Sequence, residues 1–272
     1  MHGEFATLIP RILRYIGPSF SLVFIDPAGW TGFGLRKIEP ILRHNPGEVL
    51  VNFMFDHINR FLDHPGPGIR ATFDDLFGGP GWDSAVHATD RREAAVVELY
   101  MDRMRGLGDF AHVTRTRILK PVADRSYFYL VYGTRHVRDL EEFRRIERKV
   151  VQEQEQVRLV VKQTQRVART GQSEMFPAAL LRGPTSYEEE RHVQLDLAKE
   201  DLRSLLRKAQ RTKYETAAAV LLERPYVWNT DVQALIRDLR AAGEVEIEGL
   251  QPRKRAPKPG HILVSRSSGG RK

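Results

Sequence analysis

Residues 20–27, Phe-Ser-Leu-Val-Phe-Ile-Asp-Pro, and residues 48–54, Glu-Val-Leu-Val-Asn-Phe-Met, are the two apolar runs that decide the fold. Both runs are apolar at odd and even positions, which is typical of strands covered on both faces in a parallel sheet. Between them, apolar residues recur at helical spacing over residues 35–42, and Asn45-Pro46-Gly47 ends that helix. The order strand, helix, strand predicts a βαβ unit with a right-handed crossover.

The rest of the chain has three recognisable parts. A helix is predicted over residues 85–105, followed by two antiparallel strands over 110–119 and 127–132. A long, charged, amphipathic helix follows over about 138–170, and we expect it to pack on the sheet or to join two domains, with a coiled-coil dimer as the alternative. The sequence therefore predicts an α/β domain over residues 1–137, a long helix and linker over 138–186, and a smaller domain over 187–272.

The last region has the pattern of a winged helix. Two helices are predicted over residues 214–222 and 231–242, followed by two short strands around a loop rich in Pro, Gly and Arg. In this pattern the second helix can enter a nucleic-acid groove while the loop contacts phosphates. The loop residues that would do so are Arg253, Lys254, Arg255 and Lys258. The same arrangement also serves for docking proteins, and the pattern leaves both uses open.

The charge of the chain is concentrated at its C-terminal end. The 272 residues carry 43 basic and 35 acidic side chains, a net charge of +8. The segment 251–272 contains seven basic residues and no acidic one, so the preceding 250 residues are close to neutral. This asymmetry favours an anionic partner, above all nucleic acid, at that end. A solvated basic tail is the alternative.

Composition excludes several function classes. The chain has no cysteine, which removes thiol catalysis, iron–sulfur clusters and cysteine zinc sites, and its histidines lack metal-ligand spacing. No run of about 18 apolar residues is present that could span a membrane. No signal peptide is visible at the N-terminus, so we expect a cytoplasmic protein.

Candidate catalytic residues follow the first strand, because the carboxyl ends of strands in an open α/β sheet border the ligand crevice. Asp26 can accept a hydrogen bond from an amine or hydroxyl, Pro27 fixes the backbone, and Trp30 offers a face on which a base can stack. The alternative for Asp26 is a helix cap.

Polar residues also follow the second strand, where Asn52, Asn59 and Arg60 can contact a cofactor or a nucleic-acid phosphate. Helix caps and a buried hydrogen-bond network are the alternative for these residues. Residues 75–81, Asp-Leu-Phe-Gly-Gly-Pro-Gly, only superficially resemble a cofactor loop, because a short helix rather than a strand is predicted before them. We expect a surface turn there. Residues 133–136 are either a functional loop or the entry to the long helix.

Several of these motifs, taken in order, resemble the three-Cys-motif partner protein (TcmP) family. The residues that carry the resemblance are Phe24-Ile25-Asp26-Pro27, Val51-Asn52-Phe53, Ile58-Asn59-Arg60-Phe61, Leu76-Phe77-Gly78, Trp82, Tyr129 to His136, and Arg169 to Gln172. The combination spans almost the whole chain and is fairly specific, although no single motif is. The resemblance implies a class I S-adenosylmethionine-dependent methyltransferase fold with a C-terminal extension, and a partner that carries a three-cysteine motif.

The resemblance also implies roles for particular residues. Asp26-Pro27 matches the catalytic loop of amino-methyltransferases, although Ala28 stands where a second proline is usual and the aromatic residue comes only at Trp30. Residues 2–5 match the step beside the adenine, which assigns cofactor binding to Glu4 or Phe5. The glycine-rich loop that holds the methionine moiety in relatives has no counterpart, so the expectation is an incomplete Rossmann-like sheet in an N-terminally truncated, split or degenerate enzyme.

Two functions follow as expectations. The first is a methyltransferase-like protein that acts on nucleic acid with S-adenosylmethionine as cofactor. The second is a non-catalytic partner protein that binds nucleic acid or protein through a degenerate methyltransferase fold. In either case an unpaired sheet edge would favour a homo-oligomer.

Overall fold

The computed structural model describes residues 2–170, 186–250 and 256–266. The chain forms two compact units, Met1–His136 and Val137–Lys272. The long helix predicted as a separate middle region thus belongs to the second unit. Among the described residues, no helix has the length and apolar character needed to cross a membrane.

The first unit combines helices with a single sheet. Its elements in chain order are α1 (Phe5–Ile16), β1 (Ser21–Ile25), α2 (Leu35–Leu42), β2 (Gly47–Phe53), α3 (Phe55–Phe61), α4 (Pro67–Leu76), α5 (Trp82–His87), α6 (Arg92–Gly108), β3 (His112–Leu119) and β4 (Ser126–Thr134). The strands are ordered β1-β2-β4-β3. Strands β1 and β2 are parallel, with Ile25 opposite Val51, whereas β2–β4 and β3–β4 are antiparallel. The predicted strand–helix–strand order and the predicted antiparallel hairpin are confirmed, and the unit is a mixed α/β fold.

Strand β1 differs from the prediction that both of its faces would be covered. It is an edge strand, and the side chains of Leu22 and Phe24 on one of its faces are 59% and 54% exposed. On the other face Val23 and the strand's last residue, Ile25, pack in or against the core. Strand β2 also alternates, with Val49 and Val51 buried and its other face half-buried. Apolar residues make a strand face suitable for burial, but the face is buried only if another helix or strand packs on it.

An arginine clamp closes the first unit at the end of β4. The guanidinium of Arg135 donates hydrogen bonds to the carbonyl oxygens of Leu42 at 2.8 Å, Gly47 at 2.9 Å and Gly108 at 2.5 Å. Its Cζ also lies 4.7 Å from the centre of the Phe110 ring. Leu42 and Gly108 end α2 and α6, so the cation satisfies carbonyl groups that helix ends leave without partners. The segment 133–136 therefore contains a structural clamp.

The glycine-rich segment after α4 is a turn between two helices, as predicted. Arg103 on α6 donates to three of its carbonyl groups, those of Phe77 at 2.9 Å, Gly79 at 2.7 Å and Pro80 at 2.7 Å. A phosphate-binding loop needs a strand before it. Here α4 takes that place, so the segment is a connection held by Arg103.

The second unit consists of helices and a small antiparallel sheet. Its elements are α7 (Val137–Thr170), α8 (Ser186–Ala209), β5 (Arg211–Lys213), α9 (Tyr214–Leu222), α10 (Asn229–Ala241), β6 (Val245–Glu248) and β7 (Ile262–Ser265). The strand order is β5-β7-β6. The two predicted helices and the predicted hairpin are present in the expected order, whereas α8 and β5 are not predicted by the sequence patterns.

A buried ion pair fixes α7 within the second unit. Arg144 and Glu147 approach to 2.6 Å and are both buried. Arg144 also donates to the carbonyl oxygens of Leu222 at 2.8 Å and Glu223 at 3.1 Å, where α9 ends. Glu147 accepts from the backbone N–H of Tyr226 at 3.3 Å. The pair is thus stabilised by the backbone groups around it, as buried charges require.

Candidate ligand cleft and nucleic-acid interface

A cleft of about 370 Å³ opens beside the carboxyl end of β1. Its walls come from the start of α1, the end of β1 and the loop that follows, namely Glu4, Phe5, Phe24, Ile25, Asp26, Pro27, Ala28, Thr31, Gly32 and Phe33. The cleft brings together Asp26 and Pro27, predicted as catalytic, with Glu4 and Phe5, predicted to bind the cofactor. Its volume lies within the range of about 300–1,000 Å³ that is usual for small-molecule sites.

The loop after β1 shapes this cleft by turning sharply back towards α2. Gly32 has a φ of 87°, in the left-handed region that favours glycine. The next residue, Phe33, is buried and anchors the loop in the core. Asp26, in contrast, is exposed. The loop therefore holds its apolar end in the unit and presents its carboxylate to the solvent side.

Asp26 is oriented by the neighbouring strand. The side-chain amide of Asn52 on β2 donates a hydrogen bond of 2.7 Å to Oδ1 of Asp26. The sequence predicts both residues at the crevice, and the structure brings them into contact. The amide oxygen of Asn52 is buried and lacks a hydrogen-bond partner within the described residues. A buried unpaired polar atom costs about 1–3 kcal/mol, so a donor at this point would stabilise the site.

Asn59 and Arg60 do not line the cleft. Both lie on the exposed side of α3. Arg60 forms an ion pair with Asp56, which also contacts Lys120 at 2.8 Å. Although burial acts to raise it, the hydrogen bonds from Lys120 and Arg60 hold the pKa of Asp56 below its usual value. This cluster ties α3 to the segment after β3, and Arg60 serves there as an ion-pair partner.

Trp30 is placed differently from what a stacking role requires. Its side chain is only 8% exposed. Its ring stacks on Phe73 at 4.5 Å and on Phe61 at 5.8 Å between ring centres. Both contacts belong to the aromatic core of the first unit, so Trp30 is a core residue and not the predicted platform for a base.

Other aromatic residues supply the apolar walls of the cleft. Phe24 is half-exposed at the end of β1, and Phe33 lies buried beneath the loop. Neither is predicted as a site residue by the sequence. The signal for Phe24 is its position two residues before Asp26, because alternate residues of a strand share a face.

The second unit presents a polar helix face. On α10, Val232, Ile236 and Leu239 pack into the core. The exposed side carries Asn229, Thr230, Gln233, Arg237, Asp238 and Arg240, and the guanidinium of Arg237 lies 3.9 Å from the carboxylate of Asp238. Arg, Gln and Asn are the side chains that form bidentate hydrogen bonds with base edges. This face therefore presents side chains that can both donate and accept hydrogen bonds.

The basic loop between β6 and β7 is described only at its two ends. Arg253, Lys254 and Arg255 lie outside the described residues, whereas Lys258 is exposed. His261 holds the base of the loop, because Nδ1 accepts from the backbone N–H of Lys258 at 2.9 Å and Nε2 lies 3.2 Å from the carbonyl oxygen of Gly249. An Nε2–H tautomer satisfies both contacts. Lys258 is thus anchored next to the predicted phosphate-binding segment.

Comparison of the chain with models of protein families, with curated proteins and with solved structures finds no match. The candidate sites of the chain are therefore the cleft at the end of β1 and the exposed face of α10.

Proposed function

We propose that the chain is a methyltransferase-like protein of the TcmP type that acts on nucleic acid, and that its cleft receives the adenosine part of S-adenosylmethionine. The observation that carries this proposal is the single cleft that joins Glu4 and Phe5 to Asp26 and Pro27. These two pairs are about twenty residues apart in sequence, and the resemblance gives the first to the cofactor and the second to the catalytic loop. Their meeting in one cleft is what a transfer site needs.

The lining of the cleft suits this cofactor. The carboxylates of Glu4 and Asp26 complement a cation and can accept hydrogen bonds from ribose hydroxyl or amino groups. The rings of Phe5 and Phe24 offer apolar surface to a purine. When bound, S-adenosylmethionine supplies an electrophilic methyl group, and its transfer needs alignment and desolvation more than a strong base. Asp26, held by Asn52, would orient the acceptor group and accept its proton.

The nucleic-acid part of the proposal rests on the second unit. The polar face of α10 offers Gln233 and Arg237 to base edges, and Lys258 lies at the foot of a loop whose sequence continues the basic run. Phosphate contacts from such a loop fix the register of a duplex, while the helix reads its groove. Basic side chains in the loop suit phosphate contacts, whereas Gln233 and Arg237 on α10 suit contacts with base edges.

Calorimetric titration with S-adenosylmethionine tests the cofactor site. We expect S-adenosylmethionine to bind. Adenosine should compete with it and methionine should not, because the described cleft offers contacts to the nucleoside. Asp26→Asn and Glu4→Gln should each weaken binding roughly 10-fold, the effect of losing one charged hydrogen bond. Asp102→Asn, at an exposed position on α6, is the matched control and should bind as the wild type does. Absence of binding, or equal binding by Asp26→Asn, would contradict the proposal.

A non-catalytic partner protein is the second candidate. The exposed apolar face of β1 and the core position of Trp30 favour it, because the first can dock a protein and the second removes a stacking platform from the cleft. A protein that carries the three-cysteine motif is the partner expected from the resemblance. This candidate predicts nucleic-acid binding that persists without any binding of S-adenosylmethionine, so the same titration separates the two.

A further inference from the structure

Helix α7 has a buried face that is largely charged and an exposed face that carries apolar side chains. The face buried within the second unit is largely charged, and its residues are Leu140, Arg144, Glu147, Val151, Glu155 and Arg158. Apolar side chains are found instead on the exposed side, where Ile146 is 52%, Val150 40%, Val157 50% and Val160 62% exposed. Exposed apolar groups that are aligned along one helix indicate an interaction surface rather than scattered surface residues.

The exposed apolar residues follow a heptad repeat. Phe143, Ile146, Val150, Glu153, Val157 and Val160, here called the α7 stripe, are separated alternately by three and four residues. This 3.5-residue period is the seam of a two-helix coiled coil, in which each side chain packs between side chains of a facing helix. The stripe covers 18 residues, a length of about 27 Å. A seam of this kind is completed by a second helix with the same period.

We propose that the α7 stripe is the contact between two copies of this chain, packed as an antiparallel helix pair. A two-fold axis between residues 151 and 152 sets Ile146 against Val157 of the partner copy, and Phe143 against Val160 of the partner copy. Phe143, Ile146, Val157 and Val160 of the stripe then face apolar residues of the partner copy, so a second copy of the chain completes the seam without any further protein.

Charge selects the antiparallel direction. The polar residue within the stripe is Glu153, which is exposed. A parallel pair in register would set two Glu153 carboxylates against each other, and like charges at such a position are destabilising. In the antiparallel pair Glu153 lies opposite Val150 of the partner copy and beside the exposed Lys149 of the partner copy. Each Glu153 thereby gains an opposite charge.

Sedimentation equilibrium of the full chain tests the interface. We expect a dimer in the wild-type protein. Val157→Lys should raise the dimer dissociation constant roughly 100-fold, because two cations would be buried in the seam. Gln152→Lys, which adds the same charge to the outer side of α7, should leave the dimer intact. Leu22→Lys on the exposed face of β1 should also leave it intact. Unchanged far-UV circular dichroism shows that each variant is folded.

A charge reversal tests the direction of the helices. Lys149→Glu and Glu153→Lys should each weaken the dimer, and the double variant should restore it because the pair is re-formed with exchanged signs. A monomeric wild-type chain overturns the proposal, including the case in which a different protein covers the stripe. A dimer that survives Val157→Lys, or that is lost in Leu22→Lys, overturns it as well. A double variant that stays weak overturns the antiparallel direction. None of these outcomes depends on the cleft.

Discussion

Asn52 donates a hydrogen bond of 2.7 Å to the carboxylate of Asp26, which connects the ends of β1 and β2 at the rim of the cleft. The two residues are 26 positions apart and meet because the strands are parallel, with Ile25 opposite Val51. A carboxylate held in this way keeps one orientation, which a site for proton acceptance or hydrogen bonding requires. The contact is therefore the structural centre of the proposed function.

Removal of the Asn52 amide should weaken the ligand site more than the fold. Asn52→Ala frees the Asp26 carboxylate, so we expect binding of S-adenosylmethionine to weaken roughly 5- to 10-fold, equivalent to about one net hydrogen bond. Asn59→Ala removes the same side chain from the exposed side of α3 and should leave binding unchanged. Calorimetry on both variants makes the comparison, and equal affinities would show that Asn52 does not position Asp26.

The basic loop should carry phosphate contacts. Changing Arg253, Lys254 and Arg255 together to Ala should weaken duplex binding about equally for all sequences. It should also reduce the slope of log affinity against log salt by about 3, since each phosphate contact contributes roughly 0.9. Fluorescence anisotropy over a salt series gives both quantities. An unchanged slope would mean that these three residues do not contact phosphates.

The exposed face of α10 should contribute to the preference for one duplex sequence over others. Arg237→Ala should lower affinity for a preferred duplex by about 10-fold while affecting unrelated sequences less, because a bidentate base contact is worth about 1–3 kcal/mol. Arg145→Ala on α7, where the exposed arginine pairs with Glu142 at 2.7 Å, is the control. If Arg237→Ala weakens all sequences equally, the residue contacts phosphate and not a base.

The buried ion pair of the second unit should be costly to break from one side. Glu147→Ala leaves the Arg144 guanidinium buried without its carboxylate, so we expect the free energy of unfolding to fall by about 3–5 kcal/mol. The exposed pair of Arg145 with Glu142 gives the comparison. Arg145→Ala should change the free energy of unfolding by less than about 1 kcal/mol. Urea denaturation followed by circular dichroism measures both. A similar small loss in the two variants would contradict the structural role of the buried pair.

The first unit should lose the stabilisation from protonated His87 as pH rises above 6.5. Hydrogen bonds with Asp63 and with the backbone carbonyl of Asp83 raise the pKa of His87 above its ordinary value of 6.5. Stabilisation by the protonated ring is therefore fully present below 6.5 and is lost as pH rises through the higher value in the folded protein. The partner carboxylate contributes in the opposite direction, because Arg92 and His87 lower the pKa of Asp63 and its stabilisation is lost in acid.

The test compares urea midpoints at pH 5.5 and 8. His87→Gln should reduce the difference between the two midpoints, whereas His192→Gln, an exposed histidine on α8, should not. A direct check is the titration of the His87 ring by NMR. A midpoint pH at or below 6.5 would show that the contacts with Asp63 and Asp83 do not favour the protonated ring.

The sequence predicts those parts of the fold that depend on local periodicity. The β1–α2–β2 order, the β3–β4 hairpin and the helix α10 are recognisable because their apolar residues repeat at strand or helix spacing. The open face of β1 is not predictable in the same way. Leu22 and Phe24 are apolar, as residues on a covered strand face usually are. Their exposure depends on which elements pack nearby.

The same distinction applies to the site. The meeting of Asp26 with Asn52 follows from a general property of parallel sheets, in which neighbouring strands end on the same side. The burial of Trp30 depends on how Phe61 and Phe73, on two further helices, pack against the loop. No spacing in the sequence encodes that packing, and the predicted stacking role of Trp30 was wrong for this reason.

NMR mapping of the cofactor site tests the central claim most directly. Titration of ¹⁵N-labelled protein with S-adenosylmethionine should shift the backbone amide signals of the cleft, above all those of Phe5, Asp26, Thr31 and Gly32. Signals from α10 should stay unchanged until nucleic acid is added. Shifts confined to the cleft would support the cofactor site next to Asp26. Binding that shifts signals elsewhere but leaves these four unchanged would contradict it.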